Sequence, residues 1–295
     1  MNLSLSRSFP IAKAALAAAV IACTFALACS LIGCASGGTD SSSADADNTS
    51  ASTDGKTLRV AMELAYPPFE TKDDAGNPEG LAVDFIRDFG AAYGYDVQIE
   101  NTAWDGLIPS LQSDKADLVI SSMTITDERK QSVDFSDAYA MAQLAILANA
   151  DSGVASIDDL NQPGKKVAVK TGSTGDVYAT KNLTNAEIVR LADESACVTE
   201  VVQGKADGFL YDQLTIYRNH QANPDTTEAV FIPFQDAEEW GIAVKKGNTE
   251  LLDQLNAFIA QSKTDGEFDR LTEKYLADEK KAFDQYGFKW FFDFE

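Results

Sequence analysis

The stretch Lys166-Val167-Ala168-Val169-Lys170-Thr171-Gly172-Ser173-Thr174-Gly175 decides the fold. Its apolar half, residues 166–170, reads as a short buried strand. Its polar half is a Gly-containing turn, and a helix follows near residues 176–182. Outward from there the alternation repeats: a strand at 187–191, a helix to 203 and a strand at 207–211. Upstream, residues 57–62 read as a strand. Residues 80–93 read as a helix, because Leu81, Phe85, Ile86, Phe89 and Tyr93 fall on one face. A strand at 95–100, a helix at 104–113, a strand at 117–121 and a strand near 144–149 complete that half. The chain closes with a strand at 241–245 and two helices. In the first of these, Leu251, Leu255, Phe258 and Ile259 are spaced for a buried stripe.

Strand–helix alternation predicts α/β architecture, with parallel sheets covered by helices. Two such sets predict two doubly wound lobes. In such sheets ligands sit beyond the carboxyl ends of the strands, so the residues that follow each strand matter most.

The 295 residues are enough for two lobes with real cores. At 45% hydrophobic and 24% charged residues, the composition is that of an ordinary globular protein. The start is different. Arg7 and Lys13 precede an uncharged run from Ala14 to Gly33, which ends Leu31-Ile32-Gly33-Cys34. A basic start, an apolar run and small residues before a Cys suit an export signal over 1–33. The last four residues resemble the bacterial lipobox, which implies a diacylglycerol on Cys34. The alternative is an uncleaved membrane anchor, since about 20 apolar residues span a bilayer. Either way the rest of the chain is expected outside the cell. Residues 34–56 carry Ser, Thr, Asp, Gly and Ala and no large apolar side chain, so they read as a flexible tether.

Cys23 and Cys29 lie in the apolar run, and Cys34 at its end. That leaves Cys197 alone, a small hydrophobe with no disulfide partner. The only histidine is His220. The net charge is −22, and losing Arg7 and Lys13 with no acid takes it to −24. Such a chain is a poor match for nucleic acid or an anionic membrane surface.

The strand ends are rich in polar chemistry. Glu63-Leu64-Ala65-Tyr66-Pro67-Pro68-Phe69 follows the first strand. Ser121-Ser122-Met123-Thr124-Ile125-Thr126-Asp127-Glu128-Arg129 follows the third. Lys170-Thr171-Gly172-Ser173-Thr174-Gly175 and Asp212 close strands of the second set.

Here the chain resembles a known family. The tracts Thr124-Ile125-Thr126-Asp127-Glu128-Arg129-Lys130, Val133-Asp134-Phe135-Ser136 and Val167 to Gly175, with the Tyr-Pro-Pro-Phe turn, are similar to bacterial extracellular solute-binding proteins of family 3. These are polar amino-acid receptors of ATP-binding-cassette importers. The likeness covers roughly residues 57–276, and Lys170 with the Arg129 stretch points to the glutamine-binding branch. It implies a periplasmic-binding-protein-like fold of type II. Lobe 1 would hold 57–145 and 240–295 and lobe 2 146–239, with crossing strands near 143–149 and 238–244 and a ligand cleft between the lobes.

The resemblance also implies roles. Arg129 would grip the ligand α-carboxylate through its planar fork. Thr124, backbone groups at Ser122 and its neighbour Ser121, and Ser173 and Thr174 at a helix start would add donors. Asp212 would take the α-ammonium, as a pure acceptor facing three donors. Tyr66 and Trp104 would sandwich the aliphatic part, and Glu63 and Lys170 would sense the side chain or pair with each other. Lys170 disfavours a cationic side chain and Glu63 an anionic one, which leans toward glutamine. Each residue also has a plainer role: helix charge for Arg129, N-cap for Asp212, core aromatics for Tyr66 and Trp104. Ala82 departs from the family by removing a helix-capping acceptor. The aromatic tail from Phe283 onward is expected to pack on the first lobe.

No cofactor, metal set or catalytic group is expected. The partners implied are an amino acid, a membrane permease and the lipid at Cys34, with the protein a monomer. The rival functions are a dehydratase-type enzyme on the same fold, using Glu63 or Asp212, an amino-acid sensor ectodomain, and a structural or adhesive surface protein.

Overall fold

The first sheet is organised around β1 (Lys56–Met62). Leu58, Val60 and Met62 join one apolar cluster and Ala61 joins another, so the strand is covered on both faces. The computed structural model describes residues 56–286 and 289–294, and of Gln285 and Tyr286 only the backbone. The expected export signal, Cys34 and all but the last residue of the expected tether lie outside the described residues.

After β1 comes the small hairpin β2 (Thr71–Lys72) and β3 (Pro78–Glu79), then α1 (Leu81–Tyr93) and β4 (Tyr95–Asn101). The residues of β4 alternate between half-buried and exposed, as an edge strand should. A 3₁₀ turn at Trp104–Gly106 leads into α2 (Leu107–Gln112). Then follow β5 (Leu118–Val119), α3 (Asp127–Lys130), β6 (Val133–Phe135) and β7 (Ala140–Ala142).

The second sheet uses β8 (Leu144–Asn149), α4 (Ile157–Leu160), β9 (Lys166–Lys170), α5 (Thr174–Asn182), β10 (Glu187–Leu191) and α6 (Glu194–Val202). It is completed by β11 (Gly208–Asp212), α7 (Gln213–Ala222) and β12 (Thr227–Val230). The chain then returns through β13 (Glu238–Trp240) and β14 (Ala243–Lys245) to α8 (Thr249–Ser262), α9 (Glu267–Tyr275) and α10 (Ala277–Tyr286).

The strand orders are β4-β1-β5-β14-β6 and β10-β9-β11-β8-β12. In each sheet three strands run parallel: β4, β1 and β5 in the first, β10, β9 and β11 in the second. The remaining pairings, β14 with β5 and β6 and β8 with β11 and β12, are antiparallel, so β14 and β8 are the reversed strands. The sheets are therefore mixed, not wholly parallel as the alternation suggested, because the return segments of the chain add to the parallel units in reverse. Along β8, Ala145 and Leu147 enter one core cluster while Ile146 and Ala148 enter another. That two-sided burial explains its uninterrupted apolar sequence.

The lobes are joined by a two-stranded ribbon in which β13 pairs antiparallel with β7, Glu238 opposite Ala142. The expected crossing at 143–149 is thus displaced upstream, and β8 belongs wholly to the second sheet. The aromatic tail packs where expected. Phe283, Trp290 and Phe291 are fully or nearly fully buried in the first core, and Phe291 lies 5.1 Å from Phe69. Met141 N–H of β7 donates to the Phe291 carbonyl (2.7 Å), which ties the tail to the ribbon. Phe288 lies outside the described residues.

The departure at Ala82 is compensated locally. Helix α1 has no side-chain cap; instead Leu81 N–H donates to Pro68 O (2.9 Å) and Ala82 N–H to Phe69 O (2.8 Å). Gly80 permits this, with φ of 131° and a position where a Cβ would lie 2.4 Å from Phe69 O.

Candidate functional site

The carboxyl ends of β1, β5, β9 and β11 converge on one cavity. Ten of the eleven side chains expected there line it: Glu63, Tyr66, Trp104, Ser121, Ser122, Thr124, Arg129, Ser173, Thr174 and Asp212. The eleventh, Lys170, does not line it; its ammonium pairs with the Glu63 carboxylate across the cleft. Both members are well buried, the side chains being 3% and 13% exposed. The cavity wall also includes Glu70, Leu144, Tyr211, Glu238 and Trp240.

On the first lobe, Thr126 caps α3 by accepting from Arg129 N–H (3.2 Å), which sets the start of the Arg129 side chain. The guanidinium donates to Thr124 O (2.7 Å) and, across the cleft, to Gly172 O (3.1 Å). It stands 5.2 Å from the Trp104 ring centroid, and the Lys170 ammonium stands 5.1 Å from the same ring. Trp104 is thus a shared platform for two cations. Burial pulls the Arg129 proton affinity below its ordinary value, and the nearby Glu238 charge opposes that. A guanidinium stays charged under such a shift.

Ser121 accepts from Glu63 N–H (3.0 Å), fixing the end of β1 against the following loop. Ser122 sits at φ 46°, a left-handed conformation that a non-glycine residue adopts at a cost. That geometry aims its hydroxyl at Glu70 Oε2 (3.1 Å). Glu70 is 1% exposed, and burial pushes its carboxyl well above the usual range, with the Ser122 hydroxyl opposing.

On the second lobe, Ser173 caps α5 by accepting from Asp176 N–H (3.2 Å). Gly175 in the first turn of that helix lies against β11; a Cβ there would come within 2.4 Å of Leu210 O. Asp212 caps α7, accepting from Leu214 N–H (2.9 Å) and Thr215 N–H (3.1 Å). It also accepts from the Tyr66 hydroxyl of the other lobe (2.7 Å). So Asp212 is an N-cap and a cavity residue at once. Burial raises its carboxyl, and the Tyr66 hydroxyl and the two amides pull it back.

Tyr66 departs from a simple ligand wall. It is 6% exposed and stacks on Phe69 at 5.5 Å, with Trp240 and Tyr211 edge-on at 5.9 and 6.4 Å. Its ring belongs to an aromatic cluster, and its hydroxyl bridges the lobes.

Glu194, the first residue of α6, was not anticipated. Burial, then the Asp212 charge, push its carboxyl up to about 8, with Lys170 opposing. Acids outnumber bases here: Glu63, Glu70, Glu194, Asp212 and Glu238 face Arg129 and Lys170.

Among the described residues the one cysteine is Cys197. Cys197 is fully buried, and burial pushes its thiol up to about 12. His220 is engaged elsewhere, 3.1 Å from Thr227 O. Among the described residues no group of three His, Cys, Asp or Glu is placed to hold a metal, and no helix is long and apolar enough to cross a membrane.

Known proteins are similar to this chain in sequence and fold. The family model for "Bacterial extracellular solute-binding proteins, family 3" matches residues 58–278. The chain is 35% identical over 257 residues to the "Probable histidine-binding protein" of Neisseria gonorrhoeae, covering 86% of this chain and 94% of that one. It is 32% identical over 222 residues to the "L-cystine-binding protein TcyJ" of Escherichia coli (strain K12), covering 75% and 82%. Among solved structures, the ancestral amino acid-binding protein AncCDT-1, a precursor of cyclohexadienyl dehydratase, is 38% identical with a TM-score of 0.68, over 74% of this chain and 94% of that one. The family match runs through both sheets and the ribbon that joins them, and the chain belongs to the bacterial extracellular solute-binding proteins, family 3.

Proposed function

We propose that this protein captures one polar amino acid in the cleft and delivers it to an ATP-binding-cassette importer. One observation carries the reading: Arg129 of the first lobe and Asp212 of the second line a single cavity. A guanidinium and a carboxylate on opposite jaws match the two ends of one zwitterion. Ligand contacts made by both lobes favour the closed form, and hinging at the β7–β13 ribbon converts binding into closure. In this reading the lobes divide at the β7–β13 ribbon, so the expected boundary at 145/146 moves upstream of β8.

Glutamine is the ligand the side-chain end favours. A carboxamide offers a donor to Glu63 and an acceptor to Lys170, so it can enter their pair without leaving either charge alone. A cation would meet Lys170 and an anion Glu63. The relatives' names, histidine-binding and cystine-binding, are of the same class of polar amino acids. Binding, not catalysis, is the activity proposed. In this reading residues 1–33 are an export signal, Cys34 carries lipid, and residues 34–56 tether a monomer to the outer face of the membrane.

A thermal-shift screen against the amino acids tests this. Ligand at about 100 times its Kd stabilises by about 2.7 kcal/mol, a rise of several degrees. L-Glutamine is expected to give the largest rise. No rise with any amino acid would remove the proposal, and a larger rise with L-arginine or L-lysine would overturn the glutamine assignment.

A further inference from the structure

Glu238 stands on the ribbon strand β13, held by pairing with Ala142 of β7. One of its carboxylate oxygens accepts from the Thr124 hydroxyl of the first lobe (2.9 Å) and from the Thr174 hydroxyl of the second (2.7 Å). The other accepts from Gln235 Nε2 (2.7 Å). The carboxylate lines the same cavity as Arg129. A hydroxyl has one proton to give. Both hydroxyls are therefore spent on Glu238, and these are two of the donors assigned above to the ligand's α-carboxylate.

We propose that Glu238 is a built-in competitor for the carboxylate subsite, which adds a bridge between the lobes in the absence of ligand and must leave Thr124 and Thr174 before an amino acid can take them. The inference rests on the amino-acid reading for its ligand but not for its bridging contact. Two carboxylates cannot share these protons, and their charges repel in a partly buried site. Part of the binding free energy is spent displacing Glu238, which weakens apparent affinity as any closed, binding-incompetent population does. Glu238 thereby sets affinity without being a ligand contact.

The test uses Glu238→Ala and Glu238→Gln in the purified protein. Titration calorimetry with L-glutamine and L-histidine is expected to show about tenfold tighter binding in Glu238→Ala, with a smaller gain in Glu238→Gln, whose neutral amide still accepts but no longer attracts Arg129. X-ray scattering without added amino acid is expected to give a larger radius of gyration for Glu238→Ala, because the Thr124–Glu238–Thr174 bridge is gone. Weaker binding in either variant would overturn the proposal and make Glu238 a ligand contact. An unchanged radius would overturn the bridging role. If neither amino acid binds the unaltered protein, the ligand assignment fails and the radius alone judges Glu238. If Glu238→Ala does not fold, Glu238→Gln decides by the sign of its affinity change.

Discussion

Arg129→Ala weakens binding of the amino acid by at least about 3 kcal/mol, roughly 100-fold or more in Kd. The magnitude follows from what is left behind. A ligand carboxylate would remain in the cleft facing Glu238, with only hydroxyls to satisfy it. Removing one partner of a buried charge pair costs more than the pair contributes, because the survivor keeps its desolvation penalty. The guanidinium also bridges the lobes through Gly172 O, so the variant loses a closing contact. Arg129→Lys keeps the charge but not the fork and is expected to recover only part of the loss. Calorimetry reads both variants. A change under about 1 kcal/mol for Arg129→Ala would remove this residue from the site.

Lys170→Met is expected to destabilise the protein by about 3 kcal/mol, whatever its effect on binding. Among the described residues Lys170 is the one base paired with Glu63, and the pair lies beside a surplus of acids. Without the ammonium, the buried Glu63 carboxylate loses its partner, and Glu194 loses a charge that favours its ionised form. Urea denaturation of the single variant and of the Glu63→Gln/Lys170→Met double variant checks this. Most of the stability is expected to return in the double variant, since no unpaired charge remains. A single variant within about 1 kcal/mol of the parent would show that the pair is not structural.

Much of the fold was legible because its signals are local. The strands at Lys166–Lys170, Glu187–Leu191 and Leu144–Asn149 have the bounds read from the sequence. What was not legible depends on distant pairing. Strand β7 looks unremarkable as Ala-Met-Ala, and becomes a strand only because β13 lies against it. The stretch at Trp104 reads as one helix but opens with a 3₁₀ turn.

The site divides the same way. Strand-end residues with a recognisable pattern all reached the cavity or its edge. Glu238 did not stand out, because Glu238-Glu239 follows an acidic stretch that resembles a solvated face; the ribbon turns it inward. Glu70 lies one residue past the Tyr-Pro-Pro-Phe turn, and its burial comes from the bridge that folds Glu70 back onto Tyr66. Glu194 reads as a first-turn helix acid, a position favoured for reasons unrelated to a cleft. Tyr66 is expected to wall the ligand; packing adds a stack on Phe69 and a hydroxyl bond to Asp212, which the sequence pattern does not reveal.

The most direct test blocks each end of the ligand in turn. The amino acid that most stabilises the protein is titrated beside its α-carboxamide, which lacks the anion for Arg129, and its N-acetyl derivative, which lacks the cation for Asp212. Both derivatives are predicted to bind at least about 100-fold more weakly than the parent amino acid. Binding of either derivative within about threefold of the parent would contradict recognition of the zwitterion by opposed charges from the two lobes.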